Sequence, residues 1–261
     1  MRRRHTMVFG WSVAIATVVV LPSAALGQWV VNSPADIWDW NVGDGLCEVI
    51  GPGTGLCTLR AAIQEANAQP GPNTIVVPVT VLLTLAGAGE NAALFGDLDI
   101  TDDLTITGFG STQIIGGGLD RVFHIVSSGI TVSISGLIIT GGSVSGEGGA
   151  GIWNRGTLYL DNVWLHLNQV TGSSSSDVGG GLLNSQGTVT MTNCWVFGNS
   201  AQRGGGLFNA GGSMLTVSKT LFLTNLARTA GGGVTNYGTL TLTNTTLSGN
   251  TADGSGGGIR T

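Results

Sequence analysis

Hydrophobic and polar residues alternate in short runs along the second half of the chain, and these runs recur at a nearly constant interval. From Gly148 onward, each unit begins with a glycine cluster and one apolar residue, followed in four of the five units by an asparagine two positions later. A period in this range is typical of solenoid proteins. The apolar residues recur at spacings of 30, 25, 27 and 25 residues and are Ile152, Leu182, Leu207, Val234 and Ile259.

Asparagine occupies three equivalent positions in most units, and apolar residues alternate with polar ones between them. Leu158 and Leu160 of the first unit show this period of two, which predicts short β-strands. Because the asparagines recur in every unit, we interpret them as structural: they adopt left-handed corner conformations and form hydrogen-bonded ladders between units. The first row is Asn154, Asn184, Asn209 and Asn236; the second is Asn162, Asn193 and Asn244, with Lys219 in the third unit; the third row is Asn168, Asn199, Asn225 and Asn250.

The repeat chemistry predicts an all-β protein, a right-handed parallel β-helix with roughly 25–30 residues per coil. Glycine clusters are incompatible with a helical solenoid, and the units are too short for propeller blades. Residues 148–261 are expected to form regular Gly/Asn-rich repeats, and residues 73–147 less regular coils. We expect roughly seven coils from about residue 74 onward.

The segment before these coils contains one convincing helix, predicted over residues 58–68. Thr58 is a plausible N-cap, and Pro70 ends the helix. An amphipathic helix at this place can cover the open edge of the first coil, so residues 28–72 are interpreted as an N-terminal cap. The apolar face of the helix consists of Leu59, Ala62, Ile63 and Ala66.

The two ends of the sequence suggest an exported protein that continues further. Residues 1–27 have the three parts of a secretory signal, with arginines first, an apolar core and a small-residue cleavage site before Gln28. An uncleaved anchor is the alternative, although the apolar core is shorter than a spanning helix needs, and no later segment could span a bilayer as a helix. The sequence stops within its fifth glycine-rich unit, so we expect further coils or an anchor in a longer protein, or a truncated gene product.

Composition narrows the possible partners and the role of the three cysteines. The formal net charge is −5, which disfavours nucleic acid and anionic membranes as partners. Cys47 and Cys57 flank a Gly/Pro-rich loop, where a disulfide is expected in an exported protein; two free thiols are the alternative. Cys194 occupies an inward strand position, which predicts a buried, inert thiol.

The helix and the residues around it resemble a known family. The run from Gly55 to Asn67 and the later Leu104-Thr-Ile-Thr-Gly108 are similar to the CSLREA-motif domain of bacterial exported proteins, although Thr58 and Ala61 replace the Ser and Glu of that motif. The glycine-rich repeats resemble those of polymorphic outer-membrane proteins. Together these resemblances imply a β-helix passenger outside the cell or on its surface, and they imply no catalytic residues.

Candidates for chemistry are sparse. Asp97 and Asp99 alternate with apolar residues, so they are expected to point outward from one strand, and Asp102 and Asp103 follow in the next turn. This acidic run is interpreted as solvated, with a calcium site near Asp97, Asp99 and Asp102 as the alternative. Asp102, Asp103 and Arg121 are the only catalytic candidates, and Arg121 beside Asp120 is expected to form a surface ion pair. His124 and His166 fall in different coils, and no metal site is expected from them.

Aromatic residues offer a candidate binding surface. Trp164 and Trp195 occupy equivalent outward positions in adjacent coils, and Trp153 and Phe208 lie at outward positions beside the first asparagine row. Such a strip could accommodate a sugar ring or a partner protein, because exposed apolar patches often mark interaction sites. In the alternative interpretation, a side loop or a missing part of the chain covers these residues.

These features predict an exported, cell-surface or secreted adhesion module that binds a polysaccharide or another surface protein, without a cofactor. The first alternative is a polysaccharide lyase or glycoside hydrolase of the pectate-lyase-like β-helix type, with a cleft around Asp97 to Arg121. A purely structural spacer is the second alternative.

Overall fold

The computed structural model describes residues 27–261. The signal segment predicted over residues 1–27 therefore lies, except for Gly27, outside the described residues. The described part contains one helix, α1 (Leu59–Ala68), and 25 strands. The strands are β1 Gln28–Val30, β2 Asn73–Val76, β3 Val81–Leu82, β4 Leu98–Ile100, β5 Leu104–Ile115, β6 Phe123–Ile125, β7 Thr131–Thr140, β8 Ser143–Val144, β9 Ile152–Asn154, β10 Thr157–Asp161, β11 Trp164–His166, β12 Gln169–Val170, β13 Leu182–Asn184, β14 Thr188–Thr192, β15 Trp195–Phe197, β16 Ser200–Arg203, β17 Leu207–Asn209, β18 Met214–Ser218, β19 Leu221–Leu223, β20 Leu226–Ala230, β21 Val234–Asn236, β22 Thr239–Thr243, β23 Thr246–Ser248, β24 Thr251–Ala252 and β25 Ile259–Arg260.

The strands form a right-handed parallel β-helix, as the repeat pattern predicts. Three sheets run along the β-helix, and the largest bends around a corner. The long strands β5 and β7 continue through this corner without a break. In each later coil two shorter strands, one on either side of the corner, take their place. On one side of this corner seven strands lie side by side, and about six turns of the solenoid separate the first from the last. These strands are β2, β5, β7, β10, β14, β18 and β22. The second sheet contains β8, β12, β16, β20 and β24, and the third contains β4, β6, β9, β13, β17, β21 and β25.

The register of the strands agrees with the sequence alignment of the units. Ile152 pairs with Leu182, and the pairing continues through Leu207 and Val234 to Ile259. The inward residues of successive coils are stacked and buried, and they form one core that runs from the N-terminal cap into the last coils. This continuous apolar stack is the main stabilising feature of the solenoid, because each coil buries its inward side chains against its neighbours.

The glycine clusters have two distinct structural roles. The first glycine of a cluster, for example Gly204 with φ +63°, adopts a left-handed conformation. The third glycine lies against the equivalent glycine of the next coil: a Cβ atom placed on Gly206 would lie 2.6 Å from the carbonyl oxygen of Gly233. Any side chain there would push the coils apart, so the clusters reflect both backbone conformation and inter-coil spacing.

The first and third asparagine rows form the predicted ladders. In the first row each side-chain amide donates to the next asparagine at 2.9, 2.8 and 2.7 Å, and in the third row at 3.1, 3.0 and 2.8 Å. For the second row the predicted left-handed conformation is confirmed, but the predicted ladder is wrong. Asn162, Asn193 and Asn244 are exposed corner residues with φ values of 53°, 55° and 50°, and Asn193 donates to Asp161 instead of an equivalent asparagine. Left-handed corners and ladders are therefore properties of different rows.

The predicted helix is present as α1, and Thr58 is its N-cap, since its hydroxyl oxygen accepts a hydrogen bond from the Ala61 amide. The helix contacts β2 and β4 in the first coil. It is enclosed more completely than its amphipathic pattern suggests, because Arg60 and Glu65 are also fully buried. The preceding segment is less irregular than its composition suggests, because β1 pairs in parallel with β2 and adds a strand to the largest sheet.

The predicted disulfide and the predicted buried position of Cys194 are confirmed. Cys47 and Cys57 form a disulfide with an S–S distance of 2.05 Å. Cys194 is free and completely buried, and burial raises the pKa of its thiol to about 12. Among residues 27–261, no helix has the length and apolar character needed to cross a bilayer.

Candidate functional site

A buried group of charged residues lies on the outer side of the third sheet. Asp99 on β4, His124 on β6 and Trp153 on β9 occupy neighbouring outward positions, so the parallel register brings them into one column. Asp97 and Asp99 were predicted to be solvated, which is wrong: their exposed fractions are 6% and 0%. Their outward direction is correct, but the preceding loop covers them, and the amide of Ala93 in that loop donates to Asp99 at 3.0 Å.

His124 is held on one side by Asp99 and on the other by Trp153. Nδ1 of His124 lies 3.0 Å from a carboxylate oxygen of Asp99, and the imidazole stacks on the Trp153 indole at 4.6 Å. Nε2 of His124 and Nε1 of Trp153 are buried and have no hydrogen-bond partner among residues 27–261. An unpaired buried polar atom costs about 1–3 kcal/mol, so both nitrogens point to a missing partner in this region.

Arg121 belongs to the same group and is not part of the predicted surface pair. Its Nε donates to Asp97 at 2.6 Å, whereas the Asp120 carboxylate is 3.9 Å away. One terminal nitrogen donates to Glu147 at 2.5 Å, and the guanidinium lies 4.8 Å from the centre of the Trp153 ring. Only 7% of Arg121 is exposed, and the guanidinium also donates to the carbonyl oxygen of Gly148, next to Glu147.

The carboxylates outnumber the cation that faces them. Burial raises the pKa of Asp97 to about 8; the negative charge of Asp99 adds to this increase, and the guanidinium of Arg121 opposes it. Burial also raises the pKa of Asp120. For Arg121, burial alone would lower the pKa, but the surrounding carboxylates, Asp97 first, raise it overall. The group therefore has a deficit of positive charge, which favours a bound cation over a bound anion.

A cavity of about 120 Å³, called here the Asp-His pocket, is lined by Asp97, Arg121, His124, Glu147 and Trp153 and by Gly89, Glu90 and Asn91 from the covering loop. Sites for organic ligands usually have volumes of about 300–1,000 Å³. A cavity large enough for one water molecule is much smaller than this pocket. The volume therefore fits an ion with water molecules and does not fit a sugar residue.

The acidic catalytic candidates from the sequence lie elsewhere. Asp102 accepts a hydrogen bond from the Gly71 amide at 3.1 Å, and Asp103 accepts one from the Thr131 amide at 2.7 Å. Both carboxylates therefore hold turns together. Among the described residues, the group whose possible metal-ligand atoms lie within 4.8 Å of one another consists of Asp97, Asp99 and His124 and does not include Asp102.

Sequence reasoning missed His124 as a partner of Asp99, although a signal was present. The segments Leu98-Asp99-Ile100 and Phe123-His124-Ile125 share the pattern of a polar residue between two apolar ones. Aligning them as neighbouring strands would have paired Asp99 with His124, and this is the register in the structure. The irregular length of the early coils concealed this alignment.

A second candidate site is the aromatic ladder, defined by Trp164, His166, Trp195 and Phe197 on the outer face of β11 and β15. The two indoles stack at 5.1 Å with an interplanar angle of 17°, and His166 stacks on Phe197 at 4.0 Å. Phe197 also contacts Trp164 edge-on at 5.9 Å. Trp195 is 40% exposed, so the ladder presents a partly open aromatic surface to solvent, as predicted for the two tryptophans.

The other two predicted binding aromatics are not part of an exposed strip. Phe208 is only 7% exposed, because it packs with Val178 and Leu183 and lies beneath the Arg203 guanidinium at 5.2 Å. Trp153 is half-buried in the Asp-His pocket. For these two residues the alternative interpretation is correct, since side segments of the solenoid cover them.

A groove lined by hydroxyl-bearing residues, with a mainly apolar surface, lies on the other side of the corner from the aromatic ladder. It has a volume of about 360 Å³ and is called here the hydroxyl groove. Asn162 and Asn193, the left-handed corner residues, separate β10 and β14 from the strands of the ladder. The groove and the ladder therefore occupy adjoining outer faces of the same coils. Its polar lining consists of Ser133, Ser135, Tyr159, Asp161, Thr190 and Thr192.

Comparisons of this chain with protein-family models, with curated proteins and with solved structures found no match.

Proposed function

We propose that this protein is an exported β-helix that binds a polysaccharide outside the cell or at its surface. The observation that carries this proposal is the aromatic ladder, in which Trp164 and Trp195 stack at 5.1 Å on an outer face of the solenoid. Soluble domains rarely expose a cluster of aromatic side chains on a rigid sheet unless the cluster takes part in an interaction.

Export is supported by two independent features. The first 27 residues have the charge and hydropathy pattern of a secretory signal. The disulfide between Cys47 and Cys57 is of a kind that persists in oxidising compartments. The resemblance to CSLREA-motif proteins and to polymorphic outer-membrane-protein repeats points to the same location, either secreted or on the cell surface.

A polysaccharide suits the two adjoining faces better than a compact ligand does. Trp195 stacks on Trp164 on one side and lies next to the smaller Leu221 of the following coil on the other, so part of its ring remains open to stacking by a sugar. The hydroxyl groove beyond the corner supplies hydroxyl and carboxylate groups that can bond to sugar hydroxyls, and its volume of about 360 Å³ is in the range of organic ligand sites. An extended chain could contact both faces.

The lyase or hydrolase alternative has weaker support. It requires a cleft that admits a sugar chain beside the catalytic groups. The Asp-His pocket has a volume of only about 120 Å³, and Asp102 and Asp103 accept backbone hydrogen bonds in turns. We therefore propose binding without turnover on the open faces.

Affinity electrophoresis of the full chain in gels that contain individual polysaccharides tests this function. The double variant Trp164→Ala/Trp195→Ala should lose at least about tenfold in affinity, a loss in line with the removal of two aromatic anchors. Trp40→Ala is a matched control, because Trp40 is 62% exposed and lies in the N-terminal cap. Equal retention of the double variant and the control would refute the assignment of this face. Retention of the wild type by no polysaccharide would favour a protein partner or a spacer role.

A further inference from the structure

We propose that Asp97 and the Nε2 nitrogen of His124 bind a divalent transition-metal cation, with Asp99 orienting the imidazole, and Zn²⁺ is the fitting probe. This site is separate from the aromatic ladder, and the inference does not depend on polysaccharide binding. It rests on donor geometry, on an unpaired buried nitrogen and on the excess of carboxylates in the Asp-His pocket.

The side chains of Asp97, Asp99 and His124 already lie close together. Each offers a ligand atom, and these atoms lie within 4.8 Å of one another. Bonds from Zn²⁺ to nitrogen and oxygen are about 2.0–2.2 Å long, so neighbouring ligand atoms around a tetrahedral ion lie roughly 3.3–3.6 Å apart. The 3.0 Å contact between Nδ1 of His124 and Asp99 is a hydrogen bond that orients the imidazole, which leaves Nε2 and the carboxylate of Asp97 as the ligand atoms. Small adjustments of Asp97 would complete the arrangement.

His124 lacks a partner that a bound ion would provide. In metal-bound histidines, one ring nitrogen binds the ion and the other usually bonds to a carboxylate, a carbonyl or water. His124 has the carboxylate of Asp99 beside Nδ1, and its buried Nε2 has no partner among residues 27–261. The residue is 5% exposed and lines the Asp-His pocket, so bulk water does not satisfy this nitrogen.

The charges of the pocket also favour a cation. Asp97 and Asp99 are buried beside a single guanidinium, Arg121, which is shared with Glu147. Glu90 contributes a further carboxylate to the lining. A divalent ion would neutralise this excess, which the ion pairs with Arg121 leave uncompensated.

The donor set selects the class of ion. Calcium binds six to eight oxygen ligands and rarely uses imidazole. A carboxylate together with an imidazole suits zinc and related transition metals better. The calcium site predicted from Asp97, Asp99 and Asp102 is thereby revised, because Asp102 is not part of the group.

Such an ion would join consecutive coils at a place where the sheet is covered by a loop. Asp99 belongs to β4 and His124 to β6, and Asp99 also accepts the hydrogen bond from Ala93 in the covering loop. Metal binding should therefore stabilise the first coils and protect the loop around Glu90 from proteolysis.

Isothermal titration calorimetry of the untagged, metal-free full chain with ZnCl₂, together with thermal unfolding at increasing zinc concentration, tests the proposal. We expect one saturable site and a melting temperature that rises with zinc. Asp97→Asn and His124→Gln keep the size of each side chain and should weaken binding at least about tenfold. The matched controls are Asp102→Asn, in the neighbouring acidic turn, and His166→Gln, in the aromatic ladder; both should bind zinc like the wild type.

Two results would overturn the proposal. One is the absence of saturable zinc binding by the wild-type chain with correct folding verified by circular dichroism. The other is unchanged affinity in both Asp97→Asn and His124→Gln, which would place the ion elsewhere. If one of these variants fails to fold, the other decides the outcome, and zinc-dependent protection of the Glu90 loop in the wild type provides an additional readout.

Discussion

Arg60 on α1 donates from Nε to a carboxylate oxygen of Asp36 at 2.6 Å, and both side chains are completely shielded from solvent. The guanidinium also donates to the carbonyl oxygens of Ala93, Gly96 and Asp97. Asp36 in turn accepts hydrogen bonds from the backbone amides of the segment before the covering loop. One ion pair thus joins the N-terminal cap, the helix and the loop above the Asp-His pocket.

Replacing Arg60 should destabilise the protein strongly, because the substitution Arg60→Ala leaves the carboxylate of Asp36 buried without its counter-charge. Breaking a buried pair in this way typically costs about 3–5 kcal/mol. Urea denaturation measures the change, and the exposed Arg155→Ala provides the comparison, with an expected change within about 0.5 kcal/mol. Similar midpoints for the two variants would show that the pair at Arg60 contributes no more than a surface residue.

The two kinds of asparagine should respond differently to substitution. Asn199 donates to the Leu165 carbonyl and to Asn225, and it accepts from Asn168, all within the buried ladder. Asn199→Ala removes these partners together and should cost at least about 3 kcal/mol, since each unpaired buried group costs about 1–3 kcal/mol. Asn193→Gly, at a left-handed exposed corner, should change the free energy of unfolding by no more than about 0.5 kcal/mol. Chemical denaturation of both variants tests the difference. An equal decrease in the free energy of unfolding would contradict the assignment of ladders and left-handed corners to different rows.

One residue of the repeats should be replaceable with a gain in stability. Thr224 has φ +51°, and the equivalent positions in the two neighbouring coils are the glycines Gly198 and Gly249, with φ +65° and +62°. A β-branched residue in this conformation carries a penalty of about 1–2 kcal/mol, which exceeds the added chain entropy of glycine. Thr224→Gly should therefore stabilise the protein by about 0.5–1 kcal/mol.

The control for this substitution is Thr216→Gly, at an exposed position within β18 where φ is not left-handed. Glycine there should destabilise the protein by roughly 0.5–1 kcal/mol, because the strand loses a good β-former and the unfolded chain gains freedom. Differential scanning calorimetry of the two variants should give melting temperatures on opposite sides of the wild-type value. A decrease in both would mean that strain at Thr224 is negligible.

Cys194 should not react with thiol reagents in the native protein. Burial raises the pKa of its thiol to about 12, and the side chain has no exposed surface. The thiolate is the reactive form, so a thiol reagent at pH 8 should label Cys194 only after unfolding in urea. Ser248→Cys, at an exposed strand position, should introduce one rapidly labelled thiol under the same native conditions. Rapid labelling of the native wild-type chain would contradict the inward placement of Cys194.

The regular repeats were predictable because the same pattern of residues recurs in every unit. Leu165, Val196, Phe222 and Leu247 occupy one inward row in the sequence alignment, and they pair in this order in the structure. A parallel register follows from such an alignment without any knowledge of distant contacts, since each coil is a template for the next. The helix was equally predictable, because Thr58, the apolar face and Pro70 are local signals.

The candidate site was less predictable, for a physical reason. Alternation along a strand indicates which side of the sheet a residue faces, but it does not indicate whether that side is covered. Asp99 and Phe208 were correctly assigned to the outer side, yet both are buried by segments distant in sequence. Trp195, on an uncovered face, matched its prediction. Burial on the outer side depends on loops whose paths carry no periodic signal.

The strand register also has an evolutionary consequence. Because each coil ends in the same position and orientation as the one before it, duplication or loss of one whole unit in the gene would leave the cross-section of the rod unchanged. The unequal spacings of 30, 25, 27 and 25 residues are absorbed where strands connect, for instance between β12 and β13. During evolution, gain or loss of single coils could therefore change the length of this rod without any change in the packing of its core.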